Sequence, residues 1–461
     1  MNGMIGPGWS AKRFAEKAAT LDPHHEMLRP TTVVEDDGTV IPISQHEDFK
    51  DDYQALAEAL DVIATLKIGT DRLNPKVVKQ LKLWRNFYRS GTAIDEALAV
   101  QATIDAGEED AGLLRIHIGP SESYWADAKK FPELLMVGIR DPKLARKMKE
   151  RQQAFLALEA SLTGIANYTP RTLSLRGGYA DPMWTMVTAG FIYTFQYGEP
   201  MALNFPNYPY PGVEGTNNLI MTDVALSAIK RAQFALANVL KVNRQPTREE
   251  LYVALINFVV AHETGHSSGP QRQHKVPDGR NMADAFNGEK PSGWGDSDEL
   301  KADMTAAAQT ALLSRADIPE LRAVWELLGD TSISREVVEN DVIALLGSSL
   351  SKKYKGKELF MDGTLVNHAF GTMVQVSYLW KSGALTREGD RLRLDFDKAL
   401  AAMHELRREI IKFQAVGDAK GYYAFAHAAV EALPDEIDEL LLRLTQGEKD
   451  YFVDRELPAV A

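Results

Sequence analysis

The sequence predicts a mainly α chain with a smaller β-containing part, an α+β class, and three observations carry that prediction. Apolar side chains recur at helical spacing through most of the first hundred residues. Strand-like segments then cluster between Leu113 and Met221, among turns rich in Gly, Pro and Tyr. From Asp223 almost to the end, long Ala/Leu-rich amphipathic stretches follow one another. The 461 residues, 45 % hydrophobic and 25 % charged, have ordinary globular composition and enough length for several packed units.

Taken in order, Asp51 to Leu66, Lys76 to Tyr88 and Thr92 to Ala106 are predicted helices, with apolar residues every three or four positions. Leu113 to Ile118 (LLRIHI), stopped by Gly119-Pro120, is a predicted strand. Arg171 to Leu175, Ala189 to Tyr197, Met201 to Phe205 and Asn218 to Met221 are further strand candidates. NYPYPGVEG, between the last two, is a loop. After Asp223 a β-hairpin at Arg387 to Phe396 (REGDRLRLDF) interrupts the helices. The chain thus divides into a helical N-terminal region (1–110), a β-containing segment (111–222) and a helical segment (223–461).

Composition narrows the chemistry. With no cysteine, thiolate metal sites, disulfides and cysteine nucleophiles are excluded, so any metal must be held by His, Asp or Glu. Lys and Arg number 52 against 64 Asp and Glu, a net charge of −12, which argues against nucleic-acid and anionic-membrane partners. The start, MNGMIGPGWSAKRF, lacks the apolar stretch of a secretory signal, and the longest apolar runs are far short of a membrane span. The reading is a soluble cytoplasmic protein.

Leu251 to Pro270 (LYVALINFVVAHETGHSSGP) carries the chemistry. Thr247 and Glu250 form a capping-box signal ahead of it, so the apolar run continues a helix. His262 and His266, at i and i+4, then share one helix face and can grip one zinc ion. Glu263 stands beside the first His, placed to take a proton from a zinc-bound water whose pKa the metal brings towards ~7. A catalytic zinc needs a third protein ligand and an open fourth position. The HExxHxxGxxH pattern fails, because position 272 is Arg272. Glu299, within GDSDELKADMTAAA and flanked by Asp298 and Asp303, is the downstream candidate. Spacing alone leaves two readings of it open, since Asp296 and Glu299 also fit a capping box in a first helical turn.

These segments, in their order along the chain, resemble the dipeptidyl peptidase III family of zinc metallopeptidases, in particular its short bacterial relatives. HETGH followed by DELKAD resembles the family's zinc-helix motif and its EExxAD/E-type second motif. The resemblance implies one zinc ion per chain on His262, His266 and Glu299, with Glu263 as base and Asp298 and Asp303 supporting the ligands. GGYADP resembles an ESYRDP-type segment, which implies that Tyr179 helps polarise the scissile carbonyl. NFPNYPYPGVEGTNNL resembles the loop that holds the substrate's N-terminal end, here through Asn204 and Asn207. VNHAFG resembles a histidine motif in which His368 stabilises the transition state. The implied architecture is two-lobed, with short peptides bound in a cleft between a helical zinc lobe and the mixed lobe.

Three departures bear on substrate rather than on chemistry. The zinc motif is the five-residue HExxH instead of the family's usual six-residue HExxGH. Gly177 stands where the family has the acid that captures the peptide ammonium, and such a cation needs a carboxylate partner. Thr372 stands where it has an Arg. The favoured function is a zinc peptidase of short peptides without strict dipeptidyl specificity. The alternatives are a zinc hydrolase of non-peptide amides or esters and a catalytically silent peptide-binding relative. Retention of Glu263 argues against the silent one. No P-loop, GxGxxG after a strand or GxSxG elbow is present. His24, His25 and His46 read as surface residues, His117 as a core residue, and His274 falls out of register for a ligand.

Overall fold

The computed structural model describes residues 17, 32–34, 37–42, 47–68, 71–120, 133–171, 180–190, 202–205, 213–214, 217–290 and 293–445. The chain packs as two units: Met1–Ala145 with Ser174–Thr222, and Arg146–Leu173 with Asp223–Ala461. It is mainly α, with its principal sheet in the first unit.

In that unit, helices Glu47–Ile63 (α1), Pro75–Ser90 (α2) and Ala93–Asp105 (α3) precede the sheet. Asn74 caps α2 by accepting the Lys76 N–H, and Thr92 caps α3 by accepting that of Asp95. The strands are Leu114–Pro120 (β1), Glu133–Arg140 (β2), Ala180–Gly190 (β3), Ala202–Phe205 (β4) and Asn217–Met221 (β5), in the spatial order β1-β2-β3-β5-β4. Neighbours are antiparallel except β3 and β5, which run parallel. Tyr53, Leu60, Leu81, Trp84, Val100 and Ile104 from the helices share one core with Ile116, Ile118 and Phe205 from the strands. The helices before residue 110 and the strands after it thus bury their apolar faces together. A helix with one apolar face needs a partner layer, and the sheet is that layer.

Pro142–Ala160 (α4) carries the chain into the second unit. There follow Thr222–Asn238 (α5), Arg248–His266 (α6), Met282–Glu289 (α7), Gly293–Leu313 (α8), Arg335–Lys353 (α9) and Asn367–Lys381 (α10). The hairpin Leu385–Glu388 (β6) and Arg391–Leu394 (β7) precedes Phe396–Val416 (α11), Ala419–Glu431 (α12) and Asp435–Thr445 (α13). Helices α6 and α8 bury side chains around most of their circumference, which makes them the central pair. Buried Asp341 of α9 ties the pair to its neighbours: it accepts from Arg151 of α4 at 2.8 Å and from Asn257 of α6 at 3.2 Å.

The predicted capping box is present, with the Glu250 N–H on Thr247 Oγ1 and the Thr247 N–H on a Glu250 carboxylate oxygen. The predicted hairpin is present too. Two strands differ from expectation. Glu133–Arg140 has no counterpart in the sequence reading, because its continuous apolar run lacks the alternation that marks a half-buried strand. The strand sought at Ala189 to Tyr197 starts earlier, at Ala180. Pro182 sits near the strand's start, where a missing N–H does little harm, and its carbonyl accepts from Asp141 N at 2.8 Å. Residues 172–175 and 191–197 of the strand candidates lie outside the described residues. Among the described residues no helix is long and apolar enough to cross a membrane.

The contact between α6 and α8 is made possible by Gly265. A Cβ there would lie 2.9 Å from the Ala302 carbonyl oxygen and 3.0 Å from its Cα, so one backbone would have to yield. Gly265→Ala is therefore expected to destabilise the protein by ~1–3 kcal/mol through overpacking. Gly288→Ala, on an exposed helical position with nothing within 4 Å, is expected to be neutral or mildly stabilising. Urea unfolding of the two variants measures the contrast.

Candidate metal centre

The site grows from the periodicity of two helices. On α6 the i, i+4 spacing stacks His262 and His266 on one face, with ring centroids 4.9 Å apart. On α8 the same spacing places Glu299 and Asp303 on the face opposite, with Asp298 at its edge. Asp303 Oδ1 lies 2.7 Å from His262 Nδ1, and Asp298 Oδ2 lies 2.7 Å from His266 Nδ1. Each imidazole is thus held by one carboxylate through Nδ1 and presents Nε2 on its other side. Both Nε2 atoms face Glu299, whose Oε2 is 3.2 Å from that of His262 and 3.7 Å from that of His266.

A third imidazole reaches the same point. His368, at the start of α10, places Nδ1 3.3 Å from Glu299 Oε2, and its ring centroid is 5.6 Å from that of His262. Its position depends on Asp296. That carboxylate is fully buried and accepts the backbone N–H of Asn367, the Lys290 ammonium at 3.0 Å and the Tyr423 hydroxyl at 3.0 Å. Asn367 is left-handed, with φ of 52°, a conformation that Asn tolerates better than most residues. Helix α8 begins at Gly293, so Asp296 lies inside it and does not cap it. The capping-box reading of Asp296 and Glu299 is thereby set aside. Sequence reasoning missed the link from Asp296 to His368, for which spacing in the chain held no signal.

Burial opposes a proton on His262 and on His266, but the carboxylates outweigh it. Asp303 and Glu299 raise His262 to about 10, and Asp298 and Glu299 raise His266 to about 9. Burial likewise opposes the charge on Glu299, yet the three imidazoles hold its carboxyl well below the usual range. Glu263 is half-buried, and desolvation pushes its carboxyl up against the pull of the two histidines. A carboxyl poised in that way suits proton transfer.

These residues fit a divalent metal. Glu299 Oε2 is buried and makes no hydrogen bond, although it faces two imidazole Nε2 atoms. His262, Glu299 and His368 offer ligand atoms within 4.8 Å of one another, the one such group among the described residues. His262 and His266 with Glu299, each of these two imidazoles oriented by a further acid, form a donor set of the kind that suits a divalent metal such as zinc.

Tyr179 and Asn207 lie outside the described residues, as do Gly177, His24, His25 and His46. Asn204 belongs to strand β4 of the first unit, in register with Asn218 of β5. His117 is fully buried in the sheet, edge-on to Phe205 at 4.8 Å, and burial drives its imidazole down to about 3. His274 sits 3.0 Å from the Ala415 carbonyl through Nε2, away from the ligand set. Thr372 is fully buried on α10.

With this geometry in view, two solved structures are similar over 96 % of the chain. One is dipeptidyl peptidase III from Caldithrix abyssi, 18 % identical, with a TM-score of 0.66 and 78 % of that chain covered. The other is dipeptidyl peptidase III from Corallococcus sp. strain EGB, also 18 % identical, with a TM-score of 0.69 and 76 % covered. This chain has the dipeptidyl peptidase III fold. No protein-family profile and no curated protein matches its sequence. The fold class expected from the sequence, mainly α with a smaller β-containing part, is the one observed.

If the carboxylates orient the ligands, Asp303→Asn should weaken zinc binding by ~10–100-fold. Glu299→Ala should weaken it further, and His274→Ala should leave it unchanged. Competition against a chromophoric chelator reads all three affinities.

Proposed function

We propose that this protein is a zinc-dependent hydrolase, a metallopeptidase acting on short peptides. The observation that supports it best is the convergence of His262 Nε2, His266 Nε2 and Glu299 Oε2, with the raised carboxyl of Glu263 beside them. The dipeptidyl peptidase III fold agrees with that reading. Zinc held by His262, His266 and Glu299 would bring the pKa of a coordinated water down to ~7 and polarise the substrate carbonyl.

The chain's own residues supply the rest. Glu263 takes a proton from the attacking water and returns it to the leaving amine. His368, facing the same point from α10, stabilises the negative charge that develops on the carbonyl oxygen. Asp298 and Asp303 keep His266 and His262 in the tautomer that leaves Nε2 available. By resemblance, Tyr179 adds a second donor to the oxygen, and Asn204 and Asn207 hold the substrate's N-terminal end.

Gly177 favours a second reading of the substrate. Without an acid at that position the α-ammonium loses its counter-charge, which admits blocked peptides or non-peptide amides and esters. Glu263→Gln should keep one zinc per chain while turnover falls by ~100-fold or more. A preference for free over blocked N-termini would identify a dipeptidyl peptidase, and equal rates would reject strict dipeptidyl cleavage. Zinc-loaded protein that cleaves esters or simple amides but no peptide would establish the second reading. Protein that takes up no zinc would overturn both.

A further inference from the structure

The acids of the candidate metal centre are accompanied by a buried cation. Lys301, three residues after Asp298 on α8, is fully buried. Its Nζ donates to Asp298 Oδ1 at 2.5 Å and to the His266 carbonyl at 3.2 Å, and stands 5.5 Å from the centre of the Trp294 ring. The other Asp298 oxygen takes His266 Nδ1 at 2.7 Å. Ammonium, carboxylate, imidazole and backbone carbonyl therefore close a ring that begins and ends on His266.

Each part of this ring has a physical consequence. A lysine is rarely buried unless its charge is paired, so a sealed ammonium implies a specific partner. Here the partner is the carboxylate that orients one metal-site histidine. With Oδ1 fixed by Lys301, Asp298 cannot turn about its Cβ–Cγ bond without breaking that contact, so Oδ2 stays aimed at His266. The carbonyl of His266 belongs to the last residue of α6, where the helix dipole favours a positive charge. Lys301 thereby holds the backbone and, through Asp298, the ring of the same residue. Trp294 covers it from one side, which favours the cation through the ring face.

We propose that Lys301 is a positioning residue of the metal centre: acting through Asp298, it fixes the rotation of His266 so that Nε2 faces the point shared with His262 and Glu299. This rests on the metal reading of the site given above. Nothing in a HExxH motif points to a lysine, and the residue earns notice only because folding seals its ammonium between two groups that both lead to His266.

A double-mutant cycle on zinc affinity tests the idea. Wild type, Lys301→Met, Asp298→Asn and the double variant are titrated with zinc against a chelator, and urea unfolding of each metal-free protein is measured in parallel. Lys301→Met, close in length and apolar, is expected to bind zinc ~10–100-fold more weakly, as loss of an outer partner of a ligand does. The double variant is expected to bind no more weakly than Asp298→Asn alone, because Lys301 acts through that carboxylate. Lys301→Gln replaces Lys301→Met in the cycle if the latter does not fold. Unchanged affinity in the lysine variant, or losses that add in the double variant, would overturn the role of Lys301 while leaving the zinc site intact. A wild-type protein that takes up no zinc would instead overturn the metal reading beneath it.

Discussion

Helices α6 and α8 meet backbone to backbone at Gly265, where even a methyl group would collide with the Ala302 carbonyl, and the candidate site exists because of that contact. Imidazoles are short, and a carboxylate must come within hydrogen-bond distance to orient one. With two helices at ordinary side-chain separation, Asp298 and Asp303 could not both reach the Nδ1 atoms of His266 and His262. The glycine between the two histidines removes the side chain that would hold the helices apart. Packing and site geometry are therefore one constraint here: the surface that seals the core also aligns the two histidines with their acids.

That closeness concentrates charge. Glu263, Asp298, Glu299 and Asp303 lie around two imidazoles in a largely buried setting, a collection of like charges that folding would not tolerate without compensation. Compensation comes at three levels. The imidazoles retain protons against burial, which a metal would displace on binding. Lys301 neutralises Asp298 from behind. Asp296, one turn before Glu299, is turned away from the cluster and satisfied by Lys290, Tyr423 and Asn367, which fixes the start of α10 and so His368. The global charge of −12 says nothing about this arrangement, because it rests on which few acids are buried and with what partners.

Much of this was legible in the chain, for local reasons. The capping box at Thr247 and Glu250, the helix it starts and the shared face of His262 and His266 depend on residues within a turn or two of one another. The strands were read less well. Alternation marks strands with one wet face, so the continuous apolar run Glu133–Arg140 escaped, and the strand sought at Ala189 starts earlier, at Ala180. Composition cannot say which layer an apolar face is buried against, and the helices before residue 110 share their core with strands after it.

The residue order alone limits a metal site to imidazole and carboxylate donors: no thiolate, two histidines spaced for one helix face, an acid beside them, and a second segment rich in carboxylates. It left open whether Glu299 was a ligand or an ordinary acid near a helix start. The folded chain alone turns Glu299 to the two Nε2 atoms while its neighbours Asp298 and Asp303 take the Nδ1 atoms. Only it revealed Lys301 and Asp296 as the groups that hold this arrangement. The reason is physical. Helical periodicity is a local property written in residue spacing, whereas the register of one helix against another is set by long-range packing, here by the gap that Gly265 leaves.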